Sequence, residues 1–130
     1  MTQKNLSGSE GETLAATLES ELALCTGTTC HYRNFLGMLY TEGIHYLAER
    51  AGAYWLIDAI ASWQPKVRPI EKEFQLWELI VHNDQTADLT ARRDSGEPAI
   101  AHQKIEYTDF PLKSITLYVQ DGVLLLPSEY

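Results

Sequence analysis

Three groups of side chains have the types and spacing that chemistry would need. In Ala53-Tyr54-Trp55-Leu56-Ile57-Asp58-Ala59-Ile60-Ala61-Ser62-Trp63, the polar residues Tyr54, Asp58 and Ser62 stand at i, i+4 and i+8 of an otherwise apolar run. At about 100° per residue they form one narrow polar stripe. A helix that is apolar around most of its circumference is largely buried, so Asp58 is expected near or inside the body of the protein. A carboxylate there needs hydrogen-bond donors or a cation, or its proton affinity rises. In a cleft, flanked by Tyr54, it would act as a general acid or base or as a ligand anchor. The plainer alternative is a thin solvated stripe, or a structural Asp bonded to a backbone amide, an Arg or a His. Structural networks also perturb carboxylates, and this alternative is preferred.

The second group is His45 and Glu49, also four residues apart, with Tyr46 and Arg50 beside them. Glu49 could orient the imidazole in a catalytic dyad, but most such pairs are surface contacts worth about 0.2–0.5 kcal/mol. The third group is Cys25-x4-Cys30-His31. Zinc sites combine a close Cys pair with a second Cys or His pair. Here His45, His82 and His102 are isolated and no further Cys exists, so neither a metal nor a cofactor is expected. A Cys25–Cys30 disulfide across Gly27 is sterically conceivable, but a reducing compartment argues against it. No nucleophile elbow, phosphate loop, dinucleotide fingerprint or H-E-x-x-H motif is present. No catalytic residue is therefore assigned, and Asp58, Tyr54 and His45 stand as candidates.

The elements that position these residues follow from periodicity. Ser9-Glu10-Gly11-Glu12 reads as a capping box, and Leu14, Leu18, Leu22 and Cys25 form one helical face that ends at Thr26-Gly27. Phe35 to Tyr40 has the character of a short strand. Thr41 can cap a second helix carrying Ile44, Leu47, Ala48 and Ala51, broken at Gly52. A third helix runs from about Ala53 to Trp63, and the tight join implies a sharp angle between the two.

Beyond Pro69 the period changes to alternation. Phe74 to Val81 is apolar on both sides, as a central or doubly covered strand would be. Leu89 and Ala91 belong to a half-buried strand, another strand spans about Ala99 to Tyr107, and Phe110-Pro111 interrupts before Ile115, Leu117 and Val119. Asp121-Gly122 between two apolar runs predicts a type I′ hairpin. Its two-residue loop pairs Gln120 with Val123 and Val119 with Leu124, placing Leu117, Val119, Leu124 and Leu126 on the core face. Tyr118, Val123 and Leu125 are left on the opposite face as a candidate ligand or interface patch. The fold class expected is α+β: N-terminal helices packed on one face of a C-terminal antiparallel β-meander that ends in a hairpin. Residues 1–130 read as a single domain with a loose segment over 1–8.

Composition bounds the partners. The chain has 130 residues, 10 Lys+Arg against 18 Asp+Glu and a net charge of −8, with 45% hydrophobic residues and 2 Cys. Phosphate backbones and anionic lipid both require clustered Lys and Arg, so direct nucleic-acid or membrane binding is not expected. The longest uncharged apolar stretch, Ala51 to Ile57, is far short of the roughly 20 residues of a membrane span. No secretory signal is visible in Met1-Thr2-Gln3-Lys4-Asn5, so a cytoplasmic location is expected.

Tyr40-Thr41-Glu42-Gly43-Ile44-His45-Tyr46-Leu47-Ala48-Glu49, continuing through Ala53 to Ser62, resembles a family of small bacterial and phage proteins known only as a domain of unknown function. The resemblance is specific over residues 40–63 and implies an accessory bacterial protein of the mobile-element or gene-cassette type. It implies no activity and assigns no functional residue. Three functions remain in competition. The first is a non-enzymatic binding or interaction module, homodimeric through the hairpin face, with an unknown protein or small-molecule partner. The second is a small enzyme or ligand binder using Asp58 and Tyr54 in a cleft with His45 or Arg33. The third is an acidic inhibitor of a nucleic-acid-binding protein, which ranks last because the acids are scattered among Lys and Arg.

Overall fold

A computed structural model describes Leu18 and residues 31–130. The first expected helix and both cysteines lie outside the described residues, except for Leu18, which is helical and fully buried. Two further helices follow the expected boundaries closely. Helix α1 spans Glu42–Ala51: the Thr41 backbone is extended and its Oγ1 accepts from the Ile44 amide at 3.3 Å. Gly52 closes the helix in the left-handed conformation (φ 62°), which glycine adopts without a Cβ clash. Only Gly52 and Ala53 separate it from α2, Tyr54–Trp63. A 3-10 turn over Gln64–Lys66, with Pro65 inside it, continues from the end of α2.

The described residues form a seven-stranded sheet. Its strands are β1 His31–Arg33, β2 Leu39–Thr41, β3 Phe74–Val81, β4 Ala87–Arg92, β5 Ala99–Ile105, β6 Ser114–Gln120 and β7 Val123–Leu125. Their order is β1-β2-β7-β6-β3-β4-β5, antiparallel except where β2 runs parallel to β7. The expected strand over Phe35–Tyr40 is instead the turn and second arm of the β1–β2 hairpin. The meander holds for β3, β4 and β5, but β6 returns to the far side of β3 and does not pair with β5. The reason lies in residues 106–113. This segment is a crossover tied down by burial of Thr108, Phe110 and Leu112, and by bonds from the Thr108 amide to Gln85 and from the Val81 amide to Lys113.

The terminal hairpin has the expected register, Gln120 opposite Val123 and Val119 opposite Leu124. Asp121 (φ 50°) and Gly122 (φ 83°) both take the positive φ that a type I′ turn demands. Leu117, Val119, Leu124 and Leu126 are all buried. They meet Trp77, Leu79 and Leu89 from the sheet and Ile44, Leu47, Leu56, Ile57 and Ile60 from the helices. Burying each such side chain contributes about 1.5–3 kcal/mol relative to exposure. Gln75 is fully buried among them and fully engaged: it exchanges amide bonds with Gln64 and accepts from Trp77 Nε1 at 2.8 Å.

The sheet thus has two unlike faces. Gln75, Trp77 and Leu79 point toward the helices, and alternation sends Phe74, Leu76, Glu78 and Ile80 to the other side. The C-terminal residues return to the start of α1. Glu129 accepts from Thr41 Oγ1 at 2.6 Å, from the Gly43 amide at 3.2 Å and from its own Leu126 amide at 2.9 Å. Among the described residues, no helix is long and apolar enough to cross a membrane.

Candidate functional site

Two of the three helix candidates, His45 and Tyr54, meet at one place, and Asp58 stands one turn along α2 from Tyr54. In the β1–β2 hairpin Tyr32 lies directly opposite Tyr40, and the two rings stack at 5.6 Å between centroids. Because α1 begins immediately after β2, its first turn brings His45 back over this pair. The imidazole lies nearly parallel to Tyr32, with centroids 4.0 Å apart and planes 8° apart, and 6.4 Å from Tyr40. The Gly52-Ala53 corner then places Tyr54, at the head of α2, edge-on to His45 at 6.2 Å.

The Tyr54 hydroxyl donates to the Glu49 carboxylate and lies 3.5 Å from His45 Nδ1. Among the described residues Glu49 therefore bonds Tyr54 and not the imidazole, so the two share a phenol where their spacing would also have allowed a direct dyad. One turn beyond Tyr54, half-buried Asp58 accepts from Asn34 Nδ2 at 2.6 Å. Asn34 is itself fixed in the β1–β2 turn, where its Oδ1 accepts from the Leu36 amide and its own amide donates to Met38. A neutral side-chain amide thus holds Asp58, in place of the backbone amide, Arg or His that the sequence suggests. Ser62, the last residue of the stripe, turns back onto the Ala59 carbonyl at 2.7 Å and takes no part.

The electrostatics of the cluster are negative. Burial, followed by the charges of Asp58 and Glu49, raises the Tyr40 hydroxyl above its ordinary pKa. Partial desolvation and the bond to Glu49 push Tyr54 up to about 12. Both phenols therefore stay protonated at neutral pH. They can donate hydrogen bonds but supply neither a base nor a nucleophile. The arrangement is chemically suited to holding a ligand.

The hairpin candidates lie on the opposite face of the sheet. Tyr118 packs against Phe74 (5.0 Å) and Tyr130 (5.3 Å), and those two rings are 5.5 Å from each other. Val123 is half-buried beside Gln120 and Leu39. Leu125, although on the same face, is only 6% exposed, so Tyr118 and Val123 carry what this patch presents.

Two histidines that look isolated in the sequence are joined by Asp88. His82 Nε2 meets one carboxylate oxygen at 2.7 Å and His102 Nε2 meets the other at 2.9 Å. These bonds, His82 first, hold the Asp88 carboxyl below its ordinary range. The outward alternation of Asp88 and His102 was the available signal, but the diagonal across β4 and β5 requires the register. Among the described residues, no group of three or more His, Cys, Asp or Glu is placed to hold a metal ion.

No curated protein and no solved structure matches the chain. A family model described as a family of unknown function, DUF6876, matches residues 16–130, and the chain belongs to that family.

Proposed function

We propose that the protein is a non-enzymatic binding module whose ligand site is the cluster of Tyr32, Tyr40, His45 and Tyr54 with the carboxylates of Glu49 and Asp58. The observation that carries this reading is the convergence of Tyr54 and His45 from two helices onto one aromatic stack whose phenols are held protonated, with Asp58 near enough for its charge to act on Tyr40. Binding fits better than turnover: among the described residues the imidazole has no carboxylate to orient it, and Glu49 and Asp58 bond neutral donors. A thermal-shift screen with charged and neutral small molecules tests the site. A stabilising ligand whose effect disappears in Asp58→Ala supports it. Ligands that act equally on wild type and on Asp58→Ala and Tyr54→Phe place binding elsewhere and overturn it.

A second reading concerns assembly. The Phe74, Tyr118 and Tyr130 rings, half-buried Val123 and Leu76, and exposed Ile80 give the side of the sheet away from α1 and α2 an apolar strip. Its occupant in this reading is a second copy of the chain, giving a homodimer. Light scattering coupled to size exclusion should show twice the 14.7 kDa chain mass in the wild type and the single mass in Val123→Lys. A wild-type monomer at high micromolar concentration removes the dimer. The wider setting proposed, a single-domain accessory protein of bacterial or phage mobile elements acting in the cytoplasm, draws support from the resemblance over residues 40–63 and from the composition.

A further inference from the structure

We propose that the ligand of the Tyr40 cluster is an organic cation, specifically an alkylated ammonium group. The inference rests on reading the cluster as a ligand site and adds the chemical class. Among the described residues, neither Glu49 nor Asp58 forms an ion pair. Glu49 takes the Tyr54 hydroxyl and Asp58 takes the Asn34 amide, both neutral donors. Glu49 is thus held at the Tyr54 ring and Asp58 one helical turn beyond it, with their charge uncompensated by any described cationic side chain. Both act on the same buried phenol, Tyr40, which lies within the field of each.

Aromatic faces are negative at their centres, and they attract weakly hydrated cations such as alkylated ammonium better than compact hydrated ones. Tyr54 stands edge-on to His45 and is 40% exposed, so the group keeps a ring open to solvent beside Glu49. An anion would face two carboxylates without compensation. A divalent metal would need three or more ligating groups, which the described residues do not bring together. A weakly hydrated cation satisfies both features: the charge meets Glu49 and Asp58, and the alkyl shell meets the rings.

The test compares choline with its neutral isostere 3,3-dimethylbutan-1-ol, titrated into the full chain and followed by the ring NMR signals of His45, Tyr32 and Tyr54. Choline should shift these signals saturably, and the isostere should bind at least roughly threefold more weakly. Glu49→Gln and Asp58→Asn keep an acceptor oxygen for Tyr54 and Asn34 and should each weaken choline by roughly three- to tenfold. Their thermal melts check that they remain folded. Equal binding of the isostere, or unchanged choline affinity in both folded amide variants, overturns the cation assignment and leaves the site itself standing. If neither probe moves the ring signals, the cation assignment falls. The site reading then falls separately only if the wider screen yields no ligand sensitive to Asp58→Ala.

Discussion

The Glu129 carboxylate sits where a side chain on Gly43 would have to go: a Cβ built on Gly43 would lie 2.7 Å from Glu129 Oε1. Closeness of this kind is how a residue 86 positions away reaches the Gly43 amide and, with it, the Thr41 hydroxyl. The first amides of a helix have no partner within the helix and carry partial positive charge, so a carboxylate there serves as both acceptor and counter-charge.

Gly43→Ala should therefore destabilise the protein by displacing Glu129, at a cost of about 1–2 kcal/mol. Glu129→Ala should cost a similar amount. In the Glu129→Ala background the same Gly43→Ala change should become neutral or stabilising, since Ala favours helix over Gly by up to about 1 kcal/mol. Urea unfolding of the four proteins in the cycle measures the coupling, and additive losses would show that the two residues act independently.

Gln75→Leu removes the acceptor of the buried Trp77 indole N–H. The shape is nearly kept, yet the orphaned donor should cost about 1–3 kcal/mol. Chemical denaturation and the near-ultraviolet signal of Trp77 report it. A loss below the error of the measurement would mean that Trp77 finds another acceptor.

Tyr54 ionises late. Its pKa is raised from an ordinary 10.0 to about 12, so the stabilisation it brings is complete below pH 10 and is lost as the pH rises through about 12. Absorbance of tyrosinate against pH should show a step near 12 that Tyr54→Phe lacks. The stability of the wild type should fall toward that of the variant across the same interval.

Asp88 behaves in the opposite sense. Its carboxyl is held below the ordinary 3.8 by His82 and His102, so its contribution is present above that value and is lost as the pH falls through the lowered one. The Asp88 carboxyl carbon should titrate below 3.8 in the wild type and move upward in His82→Ala/His102→Ala. An unchanged midpoint would show that the two imidazoles do not bind it in solution.

Local signals carried much of this fold. Thr41 and Gly52 mark the ends of α1 by the chemistry of their caps, and Asp121-Gly122 sets the register of β6 and β7 through turn geometry alone. Strand order was beyond reach, because alternation tells which face a residue takes and not which strand lies beside it. Phe110, which with Pro111 reads as an interruption, is buried together with Leu112 and anchors the crossover that sends β6 back to β3. The site divides the same way. Tyr54, Asp58 and His45 are conspicuous by helix position, but Tyr32 and Tyr40 sit in three-residue strands too short to show a pattern. Asn34 meets Asp58 across 24 positions through a turn with no sequence signature for that partner.

The parallel pairing of β2 with β7 has a consequence for how the chain is made. Strand β7 lies between the β1–β2 hairpin and the β6-β3-β4-β5 body, yet it is the last of the seven to leave the ribosome. Until residues 123–125 emerge, β2 has no neighbour on that side and the two parts of the sheet share no strand contact. The aromatic stack on β1 and β2 can be assembled early, but the sheet that carries it becomes continuous only once residues 123–125 have been made. The hairpin at Asp121-Gly122 acts as a clasp, closing late and joining segments that translation has kept far apart.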